Sequence, residues 1–388
     1  MNTKRYTFAR ALGSDILVNG LRLFWVTLVI WGEFGVFFYS LSSCRWPDKL
    51  FHRPKSSPRA SHILLVADPH VLPDTHSRAH TLVQRFRDIH LRKSWAAVRR
   101  LRPHTIFFLG DMLASGGAIK DDDEYETYVR KFKNTFPVDP DIEVRYLPGN
   151  SDVGLGEINS FTKHVRERYM DHFGALNQRI SVANSTLVLL DAPGLVNEDY
   201  LRAGSGVSFD HWTPLKDGPI EFVTAVATDH EQGPIILFSH IPLHRAESRA
   251  CGPLRERGTI RRGVGHGWQS SLGKQTSVFL LQSLKPVVIF SADDRDYCDI
   301  THVIASNVSS ASSSAQRAEI HEITVKSISL APQITRPGFQ LLSLLPMDPD
   351  TSTDVPTFAH TPCFLPSAHH TYTGLYIPFS FLTSIALL

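Results

Sequence analysis

Six short apolar runs punctuate the chain, and each stops abruptly at polar or ligating residues. Ile63–Ala67 ends at Asp68-Pro69-His70, Ile106–Leu109 at Gly110-Asp111, and Val144–Leu147 at Pro148-Gly149-Asn150. Leu187–Leu190 ends at Asp191, Ile235–Phe238 at Ser239-His240, and Val287–Phe290 at Ser291-Ala292-Asp293-Asp294. Runs of this length, rich in β-branched and aromatic residues, predict buried strands. Between them, apolar residues recur with helical spacing over 76–102, at Leu82, Val83, Phe86, Ile89, Trp95, Val98 and Leu101. Further helices are expected over 121–136, which starts acidic as the helix dipole prefers, and over 270–284. Strands alternating with helices predict an α/β fold, and α/β sheets gather ligands beyond the carboxyl ends of their strands.

One apolar stretch is too long for a strand. Residues 23–41 carry a single charge, Glu33, in 19 positions. A helix of that length crosses a hydrocarbon core of about 30 Å. Its length and the Ser42-Ser43-Cys44-Arg45-Trp46 flank favour a transmembrane anchor over a cleaved signal peptide. Lysines and arginines flank both ends, so charge does not orient it. Glu33 is costly in lipid, which predicts a partner helix or a polar lipid contact.

These features divide the chain into a tail at 1–22, the anchor at 23–41, a linker at 42–60 and one α/β domain at 61–345. Residues 346–372, rich in Pro, Ser, Thr and His, read as linker or disorder. Residues 373–388 are apolar and read as a partial second span. Ser309–Ser314 reads as a surface loop.

Composition adds little. Hydrophobic residues make up 42% and charged residues 20%, and the net charge of +2 gives no electrostatic case for nucleic acid. Cys44, Cys251, Cys298 and Cys363 lack zinc-finger spacing. A Cys251–Cys298 disulfide and two unpaired thiols are both compatible with the sequence. The sequons Asn184-Ser185-Thr186 and Asn307-Val308-Ser309 matter only in a luminal domain, and Asn184 also suits a turn.

The polar residues at the run ends carry the chemistry. Taken singly, an Asp or Asn after a strand is usually a turn residue or helix cap. Taken in order, Asp68, His70, Asp111, Asn150, His240 and Asp293 supply the mixed O and N donors that two hydrolytic metal ions need.

The order Asp68-x-His70, Gly110-Asp111, Gly149-Asn150, His240 and Asp293-Asp294-Arg295 resembles the calcineurin-like metallophosphoesterase superfamily. That resemblance implies a β-sandwich core flanked by helices. It implies Asp68 and His70 on a first ion, Asp111 bridging, Asn150 and His240 on a second, and Asp293 at a further ligand position. Manganese is the first expectation, with iron or zinc as alternatives. The segments around Trp31-Gly32-Glu33, His240–Arg245, Cys251–Glu256, Asp294–Cys298, Val325–Ser327 and Pro337–Phe339 are similar to the fungal branch of membrane-anchored enzymes that remodel GPI anchors. That similarity implies removal of ethanolamine phosphate from a GPI glycan, contact with membrane lipid, and an endoplasmic reticulum or early Golgi location with a luminal catalytic domain.

The chain departs from the family pattern in three places. Ser151 replaces a histidine that assists the leaving group, with Asp152 beside it. Arg295 replaces a histidine ligand, and a guanidinium has no lone pair for a metal. His302 or Asp294 could take over as ligand. Arg295 could instead hold a phosphate oxygen, or simply pair with Asp296. Asp111–Gly117 also lacks an acidic residue before its glycines. Asp111, Asn150, Asp152 and Arg295 are the expected catalytic residues. An active phosphoesterase and a relative that binds GPI glycan or cargo without turnover are the two readings.

Overall fold

Each of the six runs forms a strand. The computed structural model describes residues 2–50, 58–73, 78–155, 161–229, 233–261, 263, 269–304, 318–346 and 357–388. The strands are β1 (Ser61–Val66), β2 (Thr105–Phe108), β3 (Glu143–Tyr146), β4 (Gln178–Val182), β5 (Ser185–Leu190), β6 (Ile235–Ser239), β7 (Val288–Ser291), β8 (Cys298–Ile304), β9 (Ala318–Thr324), β10 (Gly338–Leu344) and β11 (Phe358–Phe364). They build two sheets, in the orders β11-β10-β1-β2-β3 and β4-β5-β6-β7-β9-β8. The centres are parallel: β1 with β2, β2 with β3, and β5 through β6 and β7 to β9. The edges β10–β11, β4 and β8 are antiparallel.

The sheets face one another through an apolar core. Alternate residues of β1, such as Ile63 and Leu65, meet Leu187, Ile236, Phe238 and Phe290 of the opposite sheet. Phe107 and Phe238 meet edge to face at 5.1 Å. The other side of the first sheet, including Leu64, Val66 and Phe108, is covered by the helices Arg78–Val98, Asp122–Thr135 and Lys163–Phe173. The other side of the second sheet packs against Ala192–Gly204, Pro219–Thr228 and Lys274–Leu284. Because both faces are covered, the central strands read as unbroken apolar runs rather than alternating ones. The result is helices, sheet, sheet, helices, as expected.

Several sequence expectations are refined. The helix expected over 76–102 forms as Arg78–Val98, with only its second half packed. Leu91, Trp95 and Val98 are buried, but Leu82, Val83, Phe86 and Ile89 are 70, 63, 38 and 51% exposed. Residues 346–372 are not all linker: β11 pairs along its whole length with β10, because it contributes a covering edge to the first sheet. The apolar C-terminus is helical. Ala368–Thr371, Tyr372–Tyr376 and Ile377–Leu387 form successive helical segments. Finally, Cys44 pairs with Cys363 as well as Cys251 with Cys298, and no cysteine is free among the described residues. Asn307 and Ser309–Ser314 lie outside the described residues. Asn184 is an exposed turn residue between β4 and β5, with φ of 63°.

The N-terminal helix Asn2–Ile30 runs on through a π-helical turn, Trp31–Gly35, to Val36–Ser40. Residues Asp15–Ser40 are long and apolar enough to cross a membrane. The C-terminal helix packs antiparallel on it. Trp25 Nε1 donates to Thr383 Oγ1 at 2.9 Å, and the Phe24 and Phe379 rings are 5.2 Å apart. Gly32 leaves room for this contact: a Cβ would sit 2.5 Å from the Tyr376 hydroxyl. Glu33 is not left in lipid: it pairs with Lys93 and accepts from Tyr376 at 2.8 Å.

Candidate metal centre

The sandwich brings the carboxyl ends of β1, β2, β3, β6 and β7 to one rim. There the chain turns sharply. Asp68, His70, Asp111, Asp293 and Arg295 all have positive φ, between 44 and 68°. Such strained non-glycine residues persist only where surrounding structure fixes them, and they cluster at functional sites. Rim backbone bonds do the fixing. His70 N donates to the Asp111 carbonyl at 2.9 Å, and Ala292 N to the His240 carbonyl at 2.9 Å. Gly110 and Gly149 allow the close approach. A Cβ on Gly110 would lie 2.3 Å from His240 Nδ1, and one on Gly149 would lie 2.2 Å from Asp111 N.

Asp111 stands at the centre. Its Oδ2 is 3.0 Å from His70 Nε2, and its Oδ1 is 3.4 Å from His240 Nε2. Ser151 donates to both oxygens, from its N–H to Oδ1 and from Oγ to Oδ2, each at 2.8 Å. His240 Nε2 is also 3.1 Å from Asn150 Oδ1 and 3.7 Å from Asp293 Oδ1. His240 Nδ1 lies 2.7 Å from the Leu109 carbonyl, which can only accept. Nδ1 therefore carries a proton and Nε2 faces the donor cluster, the orientation a metal-ligating imidazole takes.

This donor set fits divalent cations. Asp68, Asp111 and His240 each offer an atom within 4.8 Å of the others. Asp68 Oδ2 is buried with no hydrogen-bond partner. The cluster is also short of positive charge. Burial, then Asp111 and Asp293, push Asp68 up to about 8, against the pull of His240 and Arg295. Burial lifts Asp293 to about 6. Burial favours neutral His240, yet Asp111, Asp293 and Asp68 outweigh it and push the ring up to about 10. A bound cation relieves that imbalance.

Other expected residues fall outside the cluster. Asp152 is buried, but its carboxylate accepts backbone N–H groups from Leu113 at 2.9 Å, Gly149 at 3.0 Å and Met112 at 3.3 Å. These bonds tie Asp152 to the backbone of the rim. Asp294 pairs with Arg255 at 2.6 Å. His302 is equally committed, to Glu322 at 2.7 Å. Asp296 does not pair with Arg295: it binds Lys326 at 3.0 Å and the backbone N–H groups of Glu256 and Arg257. Arg295 is half-buried beside the cluster, where it favours ionised Asp68 and Asp293. Asp191 caps its own helix at Gly194 and pairs with Arg166.

Sequence reasoning missed what holds the last rim. Lys326 is buried and joins Glu256 at 2.6 Å to Asp296. With the Cys251–Cys298 disulfide, this clamps the 251–257 loop onto 293–298. It also missed Glu322, buried on β9, which pairs with Arg245 at 2.6 Å and accepts from Ser291 Oγ at 2.7 Å beneath the rim. β9 also carries Glu319 and His321, so no local pattern marks which of its polar residues is buried.

Comparison with known proteins supplies relatives. The chain is 29% identical over 83% of its length to cell division control protein 1 of Saccharomyces cerevisiae, of which it spans 62%. It is 25% identical over 82% of its length to a metallophosphoesterase 1 homolog of Drosophila melanogaster, of which it covers 81%. A dimetal phosphatase from Danio rerio superposes over 73% of this chain and 95% of its own, at 15% identity and a TM-score of 0.44. The family model for calcineurin-like phosphoesterases matches residues 61–294, which contain every rim residue from Asp68 to Asp294. The chain belongs to the calcineurin-like phosphoesterase family.

Proposed function

We propose that this chain is a membrane-anchored phosphoesterase that uses two divalent ions, with manganese first and iron or zinc as alternatives. One observation carries the reading: each oxygen of Asp111 faces a different imidazole, His70 or His240. A carboxylate placed so is suited to bridge two ions about 3.5–4 Å apart. Asp68 and His70 would complete one site, and Asn150 and His240 the other, with Asp293 between Asp68 and His240. When bound, the ions neutralise phosphoryl oxygens and lower the pKa of a water nucleophile.

The chain's own groups do the rest. Ser151 holds both Asp111 oxygens, so the bridging carboxylate keeps one orientation. Leu109 fixes the His240 tautomer. Arg295 offers a guanidinium at the edge of the cluster, suited to paired hydrogen bonds with a phosphodiester. Ser151 cannot serve as a cationic acid, so the leaving oxygen must be a good leaving group or take its proton from water.

For substrate, we infer ethanolamine phosphate on a GPI-anchor glycan, in the endoplasmic reticulum or early Golgi with the catalytic domain in the lumen. The sequence resemblance to GPI-remodelling enzymes supports this. Two disulfides support an oxidising compartment. The anchor places the domain beside lipid-linked substrates. The test uses the full chain in detergent micelles. It should hydrolyse an aryl phosphodiester only with added metal, and should release ethanolamine phosphate from a GPI glycan. Equal rates after complete chelation sink the metal reading, while metal-dependent turnover of the aryl ester without release from GPI sinks only the substrate.

A second reading has a specific observation behind it. Ser151 and Arg295 both replace histidines of the family pattern, and a chain that bound GPI glycan or cargo without turnover would tolerate both. Such a chain would retain affinity for the glycan and show no hydrolysis at high enzyme concentration.

A further inference from the structure

The helix Arg78–Val98 has two unlike halves. Its second half is core, while its first half leaves Leu82, Val83, Phe86 and Ile89 on the surface. At 3.6 residues per turn these four share one face. A contiguous exposed apolar stripe on a folded domain is costly in water and marks an interaction surface.

Its position identifies the occupant. The stripe continues directly into the apolar N- and C-terminal helices. Phe86 lies 5.9 Å from the Tyr372 ring, and His90, one turn on from it, lies 5.4 Å from Phe37. Lys93 pairs with Glu33. Toward the end of the span Tyr39 is exposed, with its ring 6.0 Å from that of exposed Trp31. Trp and Tyr at the end of an apolar span mark the membrane–water interface. Exposed Arg85 and Arg92 flank the stripe, and Arg100 lies over the Phe38 ring at 4.2 Å. Arginines so placed reach lipid phosphates while apolar neighbours enter the acyl region.

The same helix is tied to the metal centre. Arg87 donates to the Leu330 carbonyl at 3.3 Å. Within that loop, Ser327 Oγ donates to the Asp68 carbonyl at 3.0 Å, and Ser327 N to the Arg295 carbonyl at 3.0 Å.

We propose that Leu82, Val83, Phe86 and Ile89 form a bilayer-docking surface that inserts into the leaflet beside the anchor and holds the mouth of the metal centre at the lipid headgroups. The inference rests on the reading of Asp15–Ser40 as a membrane span. It commits the site to phosphoesters presented at a membrane surface.

All four native cysteines are disulfide-bonded, so an introduced thiol can be labelled singly. An environment-sensitive fluorophore is attached in the full chain at Val83→Cys, at Val26→Cys within the anchor, or at Lys163→Cys on a distant exposed helix. Each protein is reconstituted into phosphatidylcholine vesicles with plain or brominated acyl chains. Brominated chains should cut the emission at Val83→Cys and Val26→Cys by roughly twofold or more, as for groups buried at the acyl boundary. Lys163→Cys should be unaffected. Quenching at Val26→Cys alone overturns the docking surface and leaves the anchor intact. No quenching at either position overturns both. Shielding at Val83→Cys that depends on protein concentration, without quenching by brominated lipid, assigns the stripe to a second copy and overturns the proposal.

Discussion

Asp68 Oδ1 accepts the backbone N–H of Asp293 at 3.3 Å, across 225 residues of chain. Asp68 follows β1 in one sheet and Asp293 follows β7 in the other. The bond therefore closes the rim across the sandwich. Any shift of one sheet against the other would open the donor cluster, so the packing of the interior and the geometry of the centre are one problem.

Asp111→Asn leaves a single oxygen to face two imidazoles. Metal content should fall, and turnover of an aryl phosphodiester should drop by more than about 100-fold, beyond the roughly 10–100-fold typical of outer-shell changes. Elemental analysis beside the assay checks this. Full metal content in the variant would remove Asp111 from the bridging position.

Arg295→Ala should raise KM about tenfold or more while leaving metal content unchanged, with partial rescue in Arg295→Lys. Loss of metal with KM unchanged would show that Arg295 holds the cluster and not the ester. Ser151→His should raise turnover of a poor leaving group, within the about 10²–10⁴-fold range of general acid catalysis, and affect an aryl ester less.

Asp152→Ala strands backbone N–H groups that are buried beneath the rim. Each such group costs about 1–3 kcal/mol. A depressed Tm with metal still bound is the expected result. Loss of metal at an unchanged Tm would return Asp152 to the centre.

Glu322 carries an acid-stability prediction. Burial opposes its ionisation, but Arg245, His302 and Ser291 outweigh burial and bring the carboxyl down to about 2 from an ordinary 4.5. On acidification the unfolded chain takes up this proton first. The stabilisation is therefore complete above about pH 4.5 and is lost as pH falls toward 2, with an upper bound of about 3 kcal/mol. Denaturant unfolding of wild type and Glu322→Gln between those pH values checks the sign. The difference between them should narrow as pH falls.

Gly149→Ala should destabilise the rim more than an ordinary surface glycine replacement would. The added methyl meets Asp111 backbone and Oδ1, both 2.2 Å from its position, and neither can retreat without moving the centre. Exposed Gly204 has nothing within 4 Å of the same position and serves as the control.

The strand ends were legible because buried parallel strands must be apolar throughout, so Val66, Phe108 and Phe238 announce where each strand stops. The candidate donors stood out for the same reason: Asp68, Asp111, Asn150 and His240 follow those stops within a few residues. The backbone bonds of Asp152 were not legible, because adjacency in sequence does not say where a carboxylate points. The helix bearing Phe86 was legible from its periodicity, but periodicity reports that a face is apolar, not what covers it. β11 was hidden because a short edge strand with Pro362 and His360 lacks the apolar run of a central one. The Cys44–Cys363 pair spans a sequence separation of 319, which no local pattern can report.

The antiparallel packing of Trp25 on Thr383 has a topological consequence. The phosphoesterase domain is an excursion between the two limbs of a single helical hairpin. If both limbs cross the bilayer, an epitope before residue 15 and one after Leu388 would report from the same compartment, with Asp111 on the other side of the membrane.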